Sequence, residues 1–331
     1  MALLVGLVLC HRQILRLCKF GYEVSFCNIR LGLCTADQDL CLIRQDGIRL
    51  AASVYRPGME GLRPAVLLLH GSTEMGRQLA LYRLLGRRLA QRGYVVLSPD
   101  FAGFGDSQDP FEADDPAAVD ADRDVCTALD WLRSREDVDQ RRIFLLAHSG
   151  GSMFAMNAAR RKTGLQALAV IGPPRNVIQR LSGRDQVEYF FQRTRDQWRH
   201  LHQRDFPAWY TLEHWYAEVM AAGAATTLLG DITRHLPFFS GPDHPPLLLI
   251  DGSREWEADL HYLDIYAQVM SEPKGHLRLV NGDHFANTFN WFGLVLYDAK
   301  VMAQLLDGID GWFVQAANTK PTNGDDQISM Q

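Results

Sequence analysis

The chain has 331 residues, 47% of them apolar and 22% charged, which fits one large globular domain and excludes a disordered, collagen-like or fibrous chain. Its 34 Lys and Arg against 39 Asp and Glu give a net charge of −5. Because a polyanion needs a basic surface, we expect no nucleic-acid partner.

The chain begins with a short apolar run, Met1 to Cys10, that is too short to span a bilayer and has its basic residues after it instead of before it. We expect residues 1–37 to be an N-terminal extension that the fold does not need, and the protein to be cytoplasmic. Export or membrane attachment through residues 1–10 is the alternative. Five of the six cysteines lie in the first 41 residues, at spacings that match no zinc site, which predicts reduced thiols and no bound metal.

From Asp39 onward the pattern predicts alternating strands and helices. Asp46-Gly47 between two β-prone segments predicts a hairpin. Apolar runs, typical of strands buried on both faces, follow at 65–69, 94–97, 143–147, 167–171, 247–250 and 277–280, the last of which contains Arg278. Segments with helical periodicity separate most of these runs. The predicted fold class is therefore α/β, with a mostly parallel, doubly wound sheet.

One long stretch, residues 173–245, interrupts this alternation. It is rich in aromatic residues, is bounded by two Pro-Pro pairs and shows helical but no strand periodicity. We interpret it as a helical lid inserted between two late strands of a core made of residues 38–172 and 246–316. The polar residues 317–331 predict a disordered tail.

The segment Ala147-His148-Ser149-Gly150-Gly151 directly follows a predicted strand and precedes a predicted helix. A Ser in such a sharp, tightly packed turn needs small neighbours, and the Ala and Gly residues of this segment provide them. The pattern predicts that Ser149 is presented as a nucleophile above the edge of the sheet, with the side chain of His148 pointing away from it. The backbone N–H of Gly150, at the start of the helix, is then predicted to face the oxyanion formed when Ser149 attacks a carbonyl.

With this motif the chain resembles the serine hydrolases of the α/β-hydrolase fold, of the esterase and lipase type with a helical lid. The resemblance covers residues 40–315 and departs from the family pattern at Ala147, where Gly is usual. His70-Gly71-Ser72 is similar to the family's oxyanion turn, which implies that the backbone N–H of Ser72 is the second oxyanion donor. His284, in a loop directly after a predicted strand, is in the position of the family's base.

The resemblance implies an acid that orients His284, on the loop after the strand 247–250. Glu255 lies three residues after Gly252, which is the position that the family uses. Asp251, Glu257 and Asp259 are nearby alternatives. Such an acid accepts the Nδ1 proton of the base, which fixes the ring and stabilises the imidazolium.

Two tryptophans, Trp256 and Trp291, flank the acid and the base and suggest an apolar pocket for an acyl or alcohol group, with core packing as the alternative. No phosphate-binding or dinucleotide-binding motif is present, so no cofactor is implied. The sequence predicts a serine hydrolase that cleaves a small-molecule carboxylic ester through an acyl-enzyme. Hydrolysis of an amide or peptide, a thioester or a lactone is the alternative on the same residues, and a non-catalytic binding module is a further one. The oligomeric state is left open.

Overall fold

The computed structural model describes residues 17–110 apart from 19, 23 and 74, residues 120–173 apart from 162 and 163, and residues 236–318 apart from 256–262, 265 and 292. The strands are β1 (Ile29–Gly32), β2 (Gln38–Ile43), β3 (Arg49–Tyr55), β4 (Arg63–Leu69), β5 (Val95–Pro99), β6 (Val138–His148), β7 (Ala167–Ile171), β8 (Leu247–Gly252), β9 (Lys274–Leu279), β10 (Thr288–Trp291) and β11 (Leu294–Asp298). The α-helices are α1 (Ala80–Gln91), α2 (Ala121–Arg133), α3 (Gly151–Arg160), α4 (Leu236–Phe239) and α5 (Ala299–Asn318), and short 3₁₀ turns span Phe26–Asn28 and Gly76–Gln78.

Eight strands form the central sheet, in the order β2-β3-β5-β4-β6-β7-β8-β9. The first two form the predicted hairpin, in which Cys41 is paired with Ala51 and Gly47 turns the chain at a φ of +87°. From β5 to β9 every neighbouring pair is parallel. Each predicted apolar run overlaps one of these strands, so the α/β class and the mostly parallel sheet are confirmed.

Helices cover both faces of this sheet, and strand β4 shows why its sequence is apolar without alternation. Val66 and Leu68 face a cluster that includes α1 and α5, whereas Leu67 and Leu69 face a cluster that includes α2 and α3. Successive side chains of a strand point to opposite faces, so a strand between two helical layers must be apolar at every position. Because these strands are parallel, their carboxyl ends lie at the same edge of the sheet. The loops that carry the candidate site residues meet at that edge.

A second, antiparallel sheet has the order β1-β11-β10 and was not predicted. Its first strand belongs to the expected N-terminal extension, and Arg30 is paired there with Tyr297. Phe20 and Val24 are buried, and the ring of Phe20 stacks on Phe289 with 6.1 Å between the ring centroids. The part of the expected extension that contains Phe20 and β1 is therefore packed against the rest of the fold, and the expectation that the fold does not need residues 1–37 stays a prediction. A four-residue strand that finds its partner near the other end of the chain leaves no local periodicity to detect.

Most of the predicted lid, residues 174–235, and most of the predicted tail, residues 319–331, lie outside the described residues. At the end of the lid segment, Phe239 of α4 is fully buried. Helix α5 extends to Asn318, slightly beyond the predicted start of the tail, because Ala316 still packs in the core and its carbonyl accepts from Gln166 Nε2 at 2.7 Å. Within the described parts of the chain, no helix is long and apolar enough to cross a membrane.

Candidate active site

Ser149 directly follows the last residue of strand β6 and lies in the turn before helix α3, with a φ of +50°. An L-residue adopts this left-handed conformation only at a cost of roughly 1–2 kcal/mol, and such strain is common at functional sites. The backbone holds Ser149 there, because its N–H donates to the carbonyl of Ile171 on β7 at 2.8 Å. The side chain is half-buried at the carboxyl edge of the sheet.

The glycines around Ser149 are required by close contacts. A Cβ on Gly71 would lie 2.8 Å from Cβ of Ser149, and a Cβ on Gly151 would overlap the carbonyl oxygen of His70. Atoms this close leave no room for any side chain. The turn that carries Ser149 therefore packs directly against the loop after β4, as the small residues of the sequence motif predicted.

The loop after β4 is oriented by the buried ring of His70. Its Nδ1–H donates to the carbonyl of Gly71 at 2.6 Å, and its Nε2 accepts from the backbone N–H of Phe101 at 3.0 Å. Burial lowers the pKa of His70, which favours this neutral form with one donor and one acceptor. The Gly71 carbonyl shares a peptide group with the N–H of Ser72, and in a trans peptide the two point in opposite directions. The ring of His70 therefore fixes the direction of the Ser72 N–H.

Gly150, the other predicted oxyanion donor, immediately precedes the first residue of α3. The first N–H groups of a helix have no partner within it and carry partial positive charge. Gly71 packs against Ser149, and Gly150 follows Ser149 in the chain. Since Ser72 follows Gly71, both predicted donor positions lie in segments that adjoin the nucleophile. Their role in binding an oxyanion remains a prediction.

His284 and Glu255 are brought together from loops that follow neighbouring strands. Nδ1 of His284 lies 3.0 Å from Oε1 of Glu255. The Glu255 side chain is 4% exposed and that of His284 is 34% exposed, so the carboxylate is shielded whereas the ring is accessible from one side. The hydroxyl of Ser149 makes no hydrogen bond to the His284 ring in the described part of the chain, and such bonds are commonly long before a substrate binds.

The nearest alternative acid has a different environment. Asp251 is fully buried at the end of β8, where Arg278 Nη2 lies 3.1 Å and His276 Nε2 lies 3.4 Å from its carboxylate oxygens. Burial alone would raise the pKa of Asp251, but its interactions with His276 and Arg278 hold the pKa below the ordinary value. Asp251 is thus an ion-paired structural carboxylate.

The remaining predicted residues stay predictions. Glu257, Asp259 and Trp256 lie outside the described residues. Trp291 is at the end of β10 in the second sheet, with its ring centroid 6.2 Å from that of Phe289. Its assignment to a substrate pocket stays a prediction. No group of three or more His, Cys, Asp or Glu side chains that could hold a metal ion occurs among the described residues.

Sequence reasoning missed Asn287, which is 2% exposed and braces the loop that carries His284. Its Oδ1 accepts from Arg254 Nη2 at 2.5 Å and from the backbone N–H of Asp283 at 3.0 Å. Its Nδ2 donates to the carbonyl of Asn281 at 2.9 Å. One amide therefore closes the base loop on itself and ties it to the residue before Glu255. Nothing in the local sequence distinguishes this Asn from an ordinary turn residue.

The fold and the site together are typical of one class of protein. They combine a mostly parallel sheet, a Ser at a left-handed strand-to-helix turn and a His–Glu pair on later loops. Residues 66–290 match the alpha/beta hydrolase family, and the chain belongs to that family. Membership supports a hydrolase activity.

Among individual proteins, the chain is similar to human Protein ABHD12B, with 32% identity over 107 residues that cover 32% of this chain and 27% of that protein. The solved 2,6-dihydroxy-pseudo-oxynicotine hydrolase has a TM-score of 0.55 at 18% identity, covering 86% of this chain and 70% of that one. Est1E from Butyrivibrio proteoclasticus, solved with ferulic acid bound, has a TM-score of 0.53 at 16% identity, covering 84% and 99%. These two structural likenesses show the fold alone, and the chain matches little more than a quarter of the human relative's length.

Proposed function

We propose that the chain is a serine hydrolase that cleaves a small-molecule carboxylic ester through an acyl-enzyme intermediate. The observation that carries the proposal is the contact of 3.0 Å between His284 Nδ1 and Glu255 Oε1. The backbone of His284 is in turn bound by His148, the residue before the strained Ser149. A hydroxyl is a poor nucleophile until a base takes its proton, and a His held by a carboxylate is the usual base.

In the proposed acylation step, Ser149 Oγ attacks the ester carbonyl and its proton moves to Nε2 of His284. Glu255 accepts the Nδ1–H hydrogen bond, so the neutral ring is the tautomer whose Nε2 is free to take that proton. The shielded carboxylate then stabilises the imidazolium. The imidazolium gives the proton to the departing alcohol, which leaves the acyl group bound to Ser149.

The negative charge that develops on the carbonyl oxygen needs donors that are already aligned. The N–H groups of Gly150 and Ser72 are the proposed donors, supported by the start of α3 at one and by the orienting ring of His70 at the other. Loss of one such donor typically costs about 10²–10³ in kcat. In the second half of the reaction, His284 takes a proton from water as the water oxygen attacks the acyl carbon. The bond between Ser149 Oγ and the acyl group then breaks as His284 returns the proton to Oγ, which releases the carboxylic acid.

The proposed substrate class is the small-molecule ester. Est1E, which shares the fold, was solved with ferulic acid, and a carboxylic acid is the kind of product that ester cleavage releases. Amides, thioesters and lactones can react at the same residues, so the bond that is cleaved must be tested directly.

The test uses the full chain with a serine-reactive fluorophosphonate probe, followed by a panel of p-nitrophenyl esters, thioesters, lactones and peptides. We expect labelling of the wild type, no labelling of Ser149→Ala, and turnover fastest with an ester. Labelling together with turnover of only a thioester, lactone or peptide would correct the substrate class. A wild type that neither reacts with the probe nor turns over any member of the panel would contradict the proposed mechanism.

A further inference from the structure

Two buried side chains that the proposed mechanism does not use, Tyr82 and His148, lie beneath the site. Tyr82 is in the first turn of α1 and His148 is the residue before Ser149, and both are almost completely buried. The Tyr82 hydroxyl lies 2.7 Å from the backbone N of Gly71 and 2.7 Å from Nδ1 of His148. On the other side of the ring, Nε2 of His148 lies 2.9 Å from the backbone carbonyl oxygen of His284.

The donor and the acceptor in each of these three hydrogen bonds follow from the chemical groups that form them. The Gly71 N–H can only donate, so the Tyr82 oxygen accepts from it and directs its own proton to Nδ1 of His148. The His284 carbonyl can only accept, so Nε2 of His148 carries the ring proton. Burial lowers the pKa of His148 and raises that of Tyr82, in agreement with a neutral ring and a protonated hydroxyl.

The hydrogen-bonded chain therefore joins three separate segments of the candidate site. Gly71 belongs to the oxyanion loop and precedes Ser72, His148 precedes the nucleophile, and the carbonyl of His284 belongs to the base itself. We propose that Tyr82 and His148 are positioning residues that set the spacing of the oxyanion loop, the nucleophile and the base. They do so through the series of hydrogen bonds from Gly71 through Tyr82 and His148 to His284, which we call the relay. The inference depends on the proposed function for its catalytic meaning.

Two observations separate this role from ordinary core packing. The ring of His148 lies directly against that of His284, with 4.7 Å between the centroids, so the contact fixes both the backbone and the ring of the base. In addition, the Tyr82 hydroxyl has one polar partner on the oxyanion loop and another on the nucleophile turn. A shift of about 1 Å between such groups is enough to lower a rate by roughly 10².

The test compares Tyr82→Phe with Tyr94→Phe in the full chain. Tyr94 is a matched control because it is also buried and its hydroxyl also makes a hydrogen bond, to Asp310 at 2.8 Å, but away from the site residues. We expect Tyr82→Phe to lower kcat at least about tenfold and to change KM less than about twofold. We expect Tyr94→Phe to lower the thermal midpoint while leaving kcat within about twofold.

A second pair of variants keeps the test informative if Tyr82→Phe folds poorly. His148→Gln retains an N–H that can reach the His284 carbonyl, whereas His148→Leu removes it, so the Gln variant should retain more of kcat than the Leu variant. Combining Tyr82→Phe with His148→Gln should cost less than the sum of the two losses, since both interrupt one chain. Equal kcat for Gln and Leu, or strictly additive losses, would overturn the relay.

Amide hydrogen exchange separates this inference from the proposed function. We expect Tyr82→Phe to accelerate exchange in residues 281–287, to which Tyr82 is joined by the hydrogen bonds of His148, and Tyr94→Phe to leave that segment unchanged. A wild type without hydrolase activity would refute the proposed function, yet this exchange result would still decide whether the relay couples the loops. Unchanged exchange and unchanged kcat in Tyr82→Phe would reduce Tyr82 to a packing residue.

Discussion

Gly172 lies so close to His284 that a Cβ added to it would be 2.7 Å from Cε1 and 2.8 Å from Nδ1 of the ring. The residue follows β7, and its φ is +51°. The same Cβ would be 3.3 Å from Oε1 of Glu255, so the backbone of Gly172 packs against both members of the His–Glu pair. This contact makes Gly172 a sensitive probe of the pair.

We expect Gly172→Ala to push the His284 ring away from Glu255 and to lower kcat by at least about tenfold, since a small displacement of a catalytic base is costly. Gly164→Ala is the matched control, because Gly164 has a φ of +66° but no atom of the described residues lies within 4 Å of an added Cβ. Both substitutions carry the left-handed strain of roughly 1–2 kcal/mol, so both should lower the thermal midpoint. An equal loss of kcat in the two variants would show that strain alone, and not the contact with His284, is responsible.

Ser149→Ala should abolish fluorophosphonate labelling and lower turnover by at least about a thousandfold. The thermal midpoint should hardly change, since one small residue replaces another at the same φ. Ser152→Ala is the matched control, because the Ser152 hydroxyl is buried in α3 with no hydrogen-bond partner among the residues that the structure describes. Removing an unsatisfied hydroxyl is neutral or stabilising, so this control should keep full labelling and an equal or higher midpoint. Labelling of Ser149→Ala would contradict the assignment of the nucleophile.

Ser149→Gly should raise stability while removing activity. Glycine adopts the observed φ of +50° without the penalty that Ser incurs, which predicts a gain of about 1 kcal/mol in the free energy of unfolding. The greater conformational entropy that Gly gives the unfolded chain reduces this gain. Urea unfolding of the wild type, Ser149→Ala and Ser149→Gly measures the difference. A Gly variant less stable than the Ala variant would mean that the turn is not strained.

Glu255→Gln should lower kcat by at least about a hundredfold with little change in KM, because the carboxylate acts on the charged ring formed during the reaction and not on the bound substrate. Asp251→Asn serves as the comparison and should keep kcat within about tenfold, since its carboxylate faces Arg278. Glu257→Gln should also stay within that range. A loss in Asp251→Asn as large as that in Glu255→Gln would contradict the choice of acid.

Asp251→Asn should instead reduce stability in a pH-dependent way. Its ion pair with Arg278 and its contact with His276 hold the pKa of Asp251 below the ordinary value, so the folded state binds its proton more weakly than the unfolded chain. The stability from this group is therefore complete at pH values above the unfolded pKa of about 3.9 and is lost as the pH falls through the lower folded value. Urea unfolding at pH 7 and at pH 3 should show the difference between wild type and variant narrowing in acid. A constant difference would assign the loss to packing.

The buried strands and the turn that carries Ser149 could be predicted from the sequence because the physical requirements for them are local. A strand between two helical layers must be apolar at every position, and a Ser in a sharp strand-to-helix turn needs small neighbours. The apolar runs in β4 to β8 and the small residues around Ser149 could therefore be recognised from the sequence alone. The place of His284 and Glu255 came from resemblance to a family, and Asp251 remained a rival on sequence grounds.

Tertiary structure decided the features that depend on partners distant along the chain. Arg278 pairs with Asp251 and leaves Glu255 as the described carboxylate beside His284, a choice that depends on which strands are neighbours. Strand β1 exists only because β11 lies beside it. The relay of Tyr82 and His148 joins residues whose sequence contexts are those of a core helix and a strand end. Hydrogen bonds and ion pairs form wherever folding brings their atoms within about 3 Å, and no local periodicity records that distance.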